Sequence, residues 1–361
     1  VTEASASELA CEARLNLRNL PLYMDRISDR LQSFDADASK EGQRIDFRFA
    51  FGGASFDMDR LVMRANAADR DGLARIKDLL ATAVEVYARD ENPEIVWTGD
   101  LADDTRLAQF REMVVTQVGD LTPLMRRIRF AGEDLERFAK FGGMHIRMLF
   151  PTSEVPDPLW PVLGSNGLPI WPSDDRRPVA RVYTIRALDL EKGIIDVDFL
   201  IHPGDSVGAH WAMRAAPGMK IGIMGPVGRP VRQASWYLMG ADETGLPALA
   251  RLLETLPAET NGIAFVEIAD DGERQEIANA TGIELHWLTR NGVAAEADER
   301  LTNAVRSVEW PRNGSAFGWF AAEAAAARTV REHWRGTLGL GRDQTLAAAY
   351  WRRGAAGLMA G

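Results

Sequence analysis

The hydrophobic pattern of this chain changes period near residue 234, and no other feature of the sequence constrains the fold as strongly. Before that point, short apolar–polar alternations follow one another: Met113 to Val118, Met125 to Ala131, His145 to Phe150, Val179 to Leu188, Ile194 to His202 and Met219 to Met224. A period of two presents one face of each segment to a core, which is the signature of a half-buried strand. Six such strands, separated by Gly and Pro turns and accompanied by one short helix from Ala209 to Ala215, predict a six-stranded antiparallel β-barrel. After residue 234, strands and helices alternate. Strands are expected at Ser235–Gly240, Gly262–Ile268, Ile283–Leu288, Ala316–Ala321 and Leu346–Trp351. Helices are expected at Leu246–Leu256, Gly272–Thr281, Ala294–Val308 and Ala325–Leu338. That alternation predicts a doubly wound α/β domain with a parallel sheet, which takes its ligand at the C-terminal strand ends.

The first hundred residues carry a third pattern. Leu9 to Asn19 alternates, Pro21 opens a helix over Leu22–Phe34, and Arg44 to Phe51 alternates again before the turn signal Gly52-Gly53. Ser55 to Ala65 reads as the returning strand. Asp69 caps a helix from Asp71 to about Arg89 whose apolar stripe is Leu73, Ile76, Leu79, Leu80, Ala83 and Val84, and Ile95–Trp97 adds a last strand. The chain thus divides into an α+β domain over 1–105, a barrel over 106–233 and an α/β domain over 234–361. Inside the barrel segment, Pro151 to Pro178 is a long excursion, and loops of that length are usually functional or mobile.

Composition excludes several function classes. Cys11 is the one cysteine, so no intramolecular disulfide, cysteine-rich zinc site or cysteine-ligated iron–sulfur cluster is available. The five histidines (His145, His202, His210, His286 and His333) lack ligand spacing, and no metal site is expected. A net charge of −10 disfavours nucleic acid, which needs a basic footprint. No apolar run approaches the roughly 20 residues of a membrane span. With no basic head and apolar core at the N-terminus, the expected compartment is the cytoplasm.

Within the barrel pattern, Arg181-Val182-Tyr183-Thr184-Ile185-Arg186 places Arg181, Tyr183 and Ile185 on one strand face and Val182, Thr184 and Arg186 on the other. A cation, an aromatic ring and a hydroxyl in succession suit a flat phosphorylated cofactor, although an edge strand with solvated arginines has the same sequence. Next come Asp198-Phe199-Leu200-Ile201-His202 and a turn through Ser206-Val207-Gly208-Ala209 into the short helix that carries Trp211. The free N–H groups and positive dipole end of a helix N-terminus meet anions there. The α/β domain lacks a Gly-x-Gly-x-x-Gly fingerprint. Its first strand leads instead into Gly240-Ala241-Asp242-Glu243-Thr244-Gly245-Leu246-Pro247-Ala248.

These motifs, in this order, resemble the siderophore-interacting protein family, flavoproteins of the wider ferredoxin-reductase superfamily. The resemblance covers about residues 106 to 361. It also includes Gly225-Pro226-Val227-Gly228, Trp287-Leu288-Thr289-Arg290, Trp319-Phe320-Ala321-Ala322-Glu323 and Tyr350-Trp351-Arg352-Arg353-Gly354. It implies a reductase using FAD and NADPH or NADH, with a ferric siderophore as substrate and no acid–base triad, because the flavin mediates the chemistry. By the same resemblance Arg181 holds the FAD pyrophosphate, Tyr183 packs on the isoalloxazine and Thr184 hydrogen-bonds near flavin N5. Arg186, Asp198, Leu200, His202 and Trp211 line the cofactor. Ser206, Gly208 and Ala209 form the phosphate turn, with Ser206 replacing the hydroxyl the family carries at Ala209. Asp242, Glu243, Thr244, Gly245 and Glu323 receive the dinucleotide, and Arg229, Arg232, Arg352 and Arg353 are candidates for an anionic siderophore. Arg328, Arg331 and Arg335 recur at helical spacing and read as a solvated basic face. A flavin or ferric reductase with another acceptor, fed by ferredoxin, and a ligand-binding member without turnover are the alternative readings.

Overall fold

The computed structural model describes residues 8–202, 206–294 and 299–354. They form two compact units, one of residues up to 110 together with 157–177, the other of residues 111–156 together with those from 178 onward.

The first unit is built on a six-stranded antiparallel sheet in the order Asp37–Glu41, Arg44–Phe49, Gly52–Asp57, Val62–Ala67, Leu9–Leu15, Ile95–Gly99. Helices Pro21–Gln32 and Arg70–Tyr87 bury their apolar stripes, including Ile27, Leu73, Ile76 and Leu80, in the core beside it. Asp69 caps the second helix by accepting the Gly72 N–H at 2.9 Å. Two details differ from the pattern of the sequence. The segment 55–65 is not one strand but parts of two, and Gly52-Gly53 lies inside a strand rather than in a turn. A Cβ on Gly52 would stand 2.3 Å from the Asn66 carbonyl and 2.6 Å from Ile76 Cδ1, so close approach of the neighbouring strand and helix, not chain reversal, requires glycine there. The edge strand Asp37–Glu41 is exposed along its whole length and has no apolar alternation to betray it.

Residues 157–177, read above as part of the barrel segment, pack with this first unit instead. Their small hairpin pairs Val162 with Ile170 and Leu163 with Pro169. The Trp97 indole N–H donates to the Asn166 carbonyl at 2.9 Å, and Leu168 joins the apolar core. Gly167, at φ +86°, sits where a Cβ would lie 3.0 Å from that indole nitrogen.

The second unit contains two sheets. The barrel sheet has seven strands, not six, in the order Val179–Thr184, His145–Phe150, Lys220–Val227, Phe110–Asp120, Met125–Ala131, Ile194–Leu200, Ala187–Asp189. The extra strand arises because the run Val179 to Leu188 is interrupted. At the break the Ile185 N–H donates to Met144 O (2.7 Å) and the Arg186 N–H to Asp196 O (2.8 Å). One stretch of chain therefore supplies both ends of the sheet order and joins them, leaving no open edge between them. Ile185, Phe130, Phe150, Phe199 and Trp211 fill the interior.

The parallel sheet runs Gly282–Thr289, Asn261–Ile268, Trp236–Ala241, Ala316–Glu323, Thr345–Trp351. Its two faces build separate cores, one around Tyr237, Met239 and Trp319 against helix Leu246–Thr255, the other around Leu238, Phe320 and Trp334 against helices Arg300–Ser307 and Ala324–Glu332. The helix expected at Gly272–Thr281 is absent, and that connection holds only a 3₁₀ turn, Asp271–Glu273. Its sequence, GERQEIANAT, has Ile277 as its one large apolar side chain and cannot bury a helical stripe. Of the helix expected at 294–308, Arg300–Ser307 is helical, and positions 295–298 lie outside the described residues.

Buried polar contacts join the barrel to the α/β domain. Arg186, 8% exposed, donates two hydrogen bonds to Glu254 (2.6 and 2.5 Å) on helix Leu246–Thr255. From the same helix Arg251 Nη1 reaches the Ile185 carbonyl at 2.7 Å. The Glu273 carboxylate accepts from Thr122 Oγ1 (2.5 Å) and the Leu124 N–H (3.0 Å). Replacing Glu254 with Ala leaves a buried guanidinium without its bidentate partner, which costs about 3 kcal/mol. Urea unfolding of E254A is expected to show that loss, and E254Q, which keeps one acceptor oxygen, a smaller one.

Candidate functional site

The hexapeptide strand presents different chemistry on its two faces. On one, Tyr183 packs against Phe199 (ring centroids 4.5 Å apart) and edge-on to Phe150 (5.8 Å). Its hydroxyl reaches the first turn of helix Val207–Arg214, where a Cβ on Gly208 would stand 1.8 Å from Tyr183 Oη. Only glycine permits this approach. The hydroxyl has no hydrogen-bond partner among the described residues. Burial raises its pKa, so the phenol stays protonated and is a donor. The Arg181 charge acts on the same phenol, and its guanidinium donates to the Ala180 carbonyl (2.8 Å). Ser206 caps the helix, its hydroxyl oxygen accepting the Ala209 N–H at 3.4 Å, which leaves the hydroxyl hydrogen and the Val207 and Gly208 N–H groups at the turn. A cation, a phenol and a helix N-terminus thus lie together, with the phenol seated where a side chain at Gly208 would stand. This donor set fits a diphosphate-bearing cofactor such as FAD.

The other strand face looks to the α/β domain. Thr184 is 5% exposed, and its hydroxyl has no partner among the described residues. It lies opposite His145 in the sheet register. The His145 Nε2 meets Tyr350 Oη at 2.6 Å. Burial, reinforced by the Arg251 charge, lowers the His145 pKa to about 4, so its imidazole is neutral.

Several residues expected at the cofactor are engaged by protein instead. Both Asp198 oxygens are taken by Arg127 (2.6 and 2.8 Å), a bidentate pair between adjacent strands. Arg186 is committed to Glu254 and stands 3.8 Å from Asp198. Trp211 is buried in the barrel core, stacked 6.1 Å from Phe130, and Ala209 turns its methyl inward. Leu200 is half-buried and His202 exposed at the strand end before the turn; positions 203–205 of that turn lie outside the described residues.

In the α/β domain, Asp242 organises the loop after the first strand. Its Oδ1 accepts from the Thr244 N–H (2.9 Å), the Thr244 hydroxyl (2.5 Å) and the Gly245 N–H (3.2 Å), and its Oδ2 from the Trp351 indole (2.6 Å). Burial raises its pKa to about 6 against those hydrogen bonds. Gly245 packs so tightly that a Cβ would lie 2.4 Å from the Ala321 carbonyl. Glu243 is buried against Arg290 (2.9 Å), which also pairs with Glu267 (3.2 Å). Glu323 caps helix Ala324–Glu332 through the Ala325 N–H and accepts the Arg353 N–H at 3.3 Å. Arg352 and Arg353 are exposed just beyond it, at the C-terminal edge of the sheet. Arg229 and Arg232 are exposed in the segment between barrel and sheet. Gly228 lies against His145 Nδ1, so Arg229 starts near the His145–Tyr350 contact, while the Arg232 carbonyl accepts Tyr237 Oη (2.7 Å). His145, Tyr350 and Glu254 were not singled out from the sequence. A histidine at the first position of the strand His145–Phe150 is the signal the sequence offers for it.

Comparison with known proteins agrees with this layout. The family model described as siderophore-interacting FAD-binding domain matches residues 114–230, and that described as siderophore-interacting protein matches residues 234–354. The NADPH-dependent ferric-chelate reductase of Escherichia coli (strain K12) is 30% identical over 252 residues, 67% of this chain and 93% of that protein. Ferric vibriobactin reductase ViuB of Vibrio cholerae serotype O1 is 29% identical over 232 residues, 63% of this chain and 84% of its own length. Among solved structures, a siderophore utilization protein from T. fusca is 31% identical with a TM-score of 0.58, covering 71% of this chain and 98% of its own. Both family models lie outside the first hundred residues.

Two outcomes follow from this geometry. Gly208→Ala pushes the Tyr183 phenol off the helix turn, and FAD titration of the apoprotein is expected to show about tenfold weaker binding, equivalent to one lost charge-assisted hydrogen bond. Tyr183→Phe, which removes the same hydroxyl without a clash, is expected to weaken it by about the same factor. His145 has a folded pKa near 4 and an unfolded value of 6.5, so between those pH values the unfolded chain binds more protons. Its contribution to stability is complete above pH 6.5 and is lost as pH falls toward 4. Denaturation of H145Q across that window is expected to show a shallower acid slope than the wild type.

Proposed function

The chain belongs to the siderophore-interacting protein family, and we propose that it is an FAD-dependent reductase that takes electrons from NAD(P)H and delivers them to a ferric siderophore, releasing iron(II). The observation that carries this reading is the Tyr183 phenol seated on Gly208 at the N-terminus of helix Val207–Arg214, with the Arg181 charge acting on it.

In this reading Arg181, the Tyr183 hydroxyl, Ser206 and the Val207 and Gly208 N–H groups hold the diphosphate. Ala209 contributes backbone only, and the Ser206 hydroxyl stands in for the one missing there. Leu200 and His202 flank the cofactor, Tyr183 gives it an aromatic wall, and the Thr184 hydroxyl is the donor left for the ring edge. FAD held there would supply the hydride-accepting and single-electron chemistry, which belongs to the cofactor rather than to the protein. The protein's own part is placement. Asp242 fixes the loop through Thr244 and Gly245 that receives NAD(P)H at the N-terminus of helix Leu246–Thr255, with Glu323 on the adjacent strand end. Asp198, Arg186 and Glu243 act one step back, holding the strands and loops that bear these groups. Arg229, Arg352 and Arg353 offer exposed cations to an anionic chelate, and Arg232 lies further along the same segment. Against a net charge of −10, such a local cluster supplies the attraction an anionic substrate needs. NADPH is the dinucleotide to test first, because the E. coli relative is named for it. The chemistry needs no protein acid or base, and the cytoplasm, where NAD(P)H is available, suits it.

Purified protein is expected to be yellow, or to become so on adding FAD. It should oxidise NADPH or NADH when given a ferric siderophore, with iron(II) trapped by a ferrous chelator. Protein that FAD cannot reconstitute overturns the reading. Flavin that reduces other acceptors but no member of a siderophore panel would redirect it to another substrate.

A further inference from the structure

The last parallel strand ends in two aromatic neighbours with separate partners. Tyr350 meets His145 of the barrel at 2.6 Å, and the Trp351 indole donates to Asp242 at 2.6 Å. His145 stands opposite Thr184 in the barrel register and also pairs with Val227, beside an irregularity between Met224 and Val227. Asp242 in turn fixes Thr244 and Gly245. A continuous chain of contacts therefore runs from the strand carrying Thr184, through His145, Tyr350, Trp351 and Asp242, to the loop at the start of helix Leu246–Thr255. Every link is buried or half-buried. The Tyr350 ring is held edge-on by Trp319 on the neighbouring strand (6.5 Å), so its hydroxyl has a defined place.

The His145 ring is neutral, so it presents one donor and one acceptor, and the Tyr350 hydroxyl can satisfy Nε2 in either tautomer. The contact matters because it crosses from the barrel to the α/β domain. Hydride transfer depends on a donor and acceptor carried by two different domains, and small misplacements cost much of the rate. We propose that His145 and Tyr350 are positioning residues for hydride transfer, fixing the Thr184 strand relative to the dinucleotide loop, while Trp351 and Asp242 fix the loop itself. The proposal rests on the flavin-reductase reading above and adds to it a division of labour. The barrel end of the strut governs how fast the hydride moves, and the loop end governs how tightly the dinucleotide is held.

The test uses full-length holoenzyme. FAD affinity is measured by titrating apoprotein, NADP⁺ affinity by the difference spectrum of the bound flavin, and hydride transfer by stopped-flow bleaching with saturating NADPH. Tyr350→Phe is expected to slow bleaching about tenfold, as loss of a buried hydrogen bond would. FAD and NADP⁺ affinities should stay within about twofold. His145→Phe should match it, and the double variant should be no slower than either single one, because both remove the same hydrogen bond. Trp351→Phe should weaken NADP⁺ binding about tenfold and change bleaching at saturation much less. An unchanged rate in Tyr350→Phe overturns the proposal, as do additive effects in the double variant or a parallel loss of FAD affinity, the last marking the pair as a structural support. Wild-type protein that binds no FAD overturns the flavin reading itself, a result separate from any of these.

Discussion

The structure of the second unit depends on where the chain changes partner at Ile185 and Arg186. Up to Thr184 the strand pairs with His145–Phe150, and from Ala187 it pairs with Ile194–Leu200. The two successive N–H groups at the break bond to opposite ends of the sheet. Closing the barrel there places a guanidinium at a buried position, because Arg186 is the first residue past the break on the outward face. A buried cation has to be paired, and Glu254 of the α/β domain supplies the carboxylate with Asp198 nearby. Barrel closure and domain docking thus share one side chain. The same helix sends Arg251 to the Ile185 carbonyl, so the docking contact reads the backbone at the break as well as its charge.

This sharing changes what the hexapeptide does. Its polar residues divide between holding the protein together and leaving groups for a ligand. Arg186 and Asp198 are spent on ion pairs, and Arg129–Asp196 repeats the pattern one pleat along. Among the described residues, the hydroxyls of Tyr183 and Thr184 and the Val207 and Gly208 N–H groups carry no hydrogen bond. These are neutral donors, with Arg181 as the accompanying cation. The Tyr183 face of the strand thus offers donors suited to a diphosphate, and Thr184, on the other face, offers a single hydroxyl. A site lined with further arginines would hold phosphate more tightly but would offer the ring nothing.

The sequence made the barrel and the parallel sheet legible because both rest on hydrophobic period. Alternation located Met125–Ala131 and His145–Phe150 to the residue, and the β–α alternation located all five parallel strands. It failed where structure does not depend on period. The break at Ile185 leaves the apolar alternation intact, so one strand was counted where there are two. Asp37–Glu41 forms an edge with no apolar residue beyond Ala38. The connection at 272–281 reads as a helix in the β–α alternation, but with Ile277 as its one large apolar side chain it buries no helical stripe. At the site, the resemblance names segments but does not tell residues free to meet a ligand from residues that pair within the protein. Asp198 and Tyr183 lie in motifs of equal prominence, and only the position of Arg127 on the neighbouring strand shows that the carboxylate is taken. His145 escaped attention because its partner, Tyr350, is 205 residues away.

The insertion between two barrel strands belongs to a different unit from the strands it joins. Residues 157–177 leave the barrel after His145–Phe150, the strand of His145, and return before Val179–Thr184, the strand of Arg181 and Tyr183. In between they pack on the first unit, with Leu168 in its core and Asn166 on the Trp97 indole. Joining two adjacent strands through a free segment of that length would carry an entropic cost that rises with length, and anchoring the middle of it shortens the free parts to a few residues at each end. By its place in the sequence this segment reads as a barrel loop, whereas Leu168 and Asn166 make it part of the first unit's own packing.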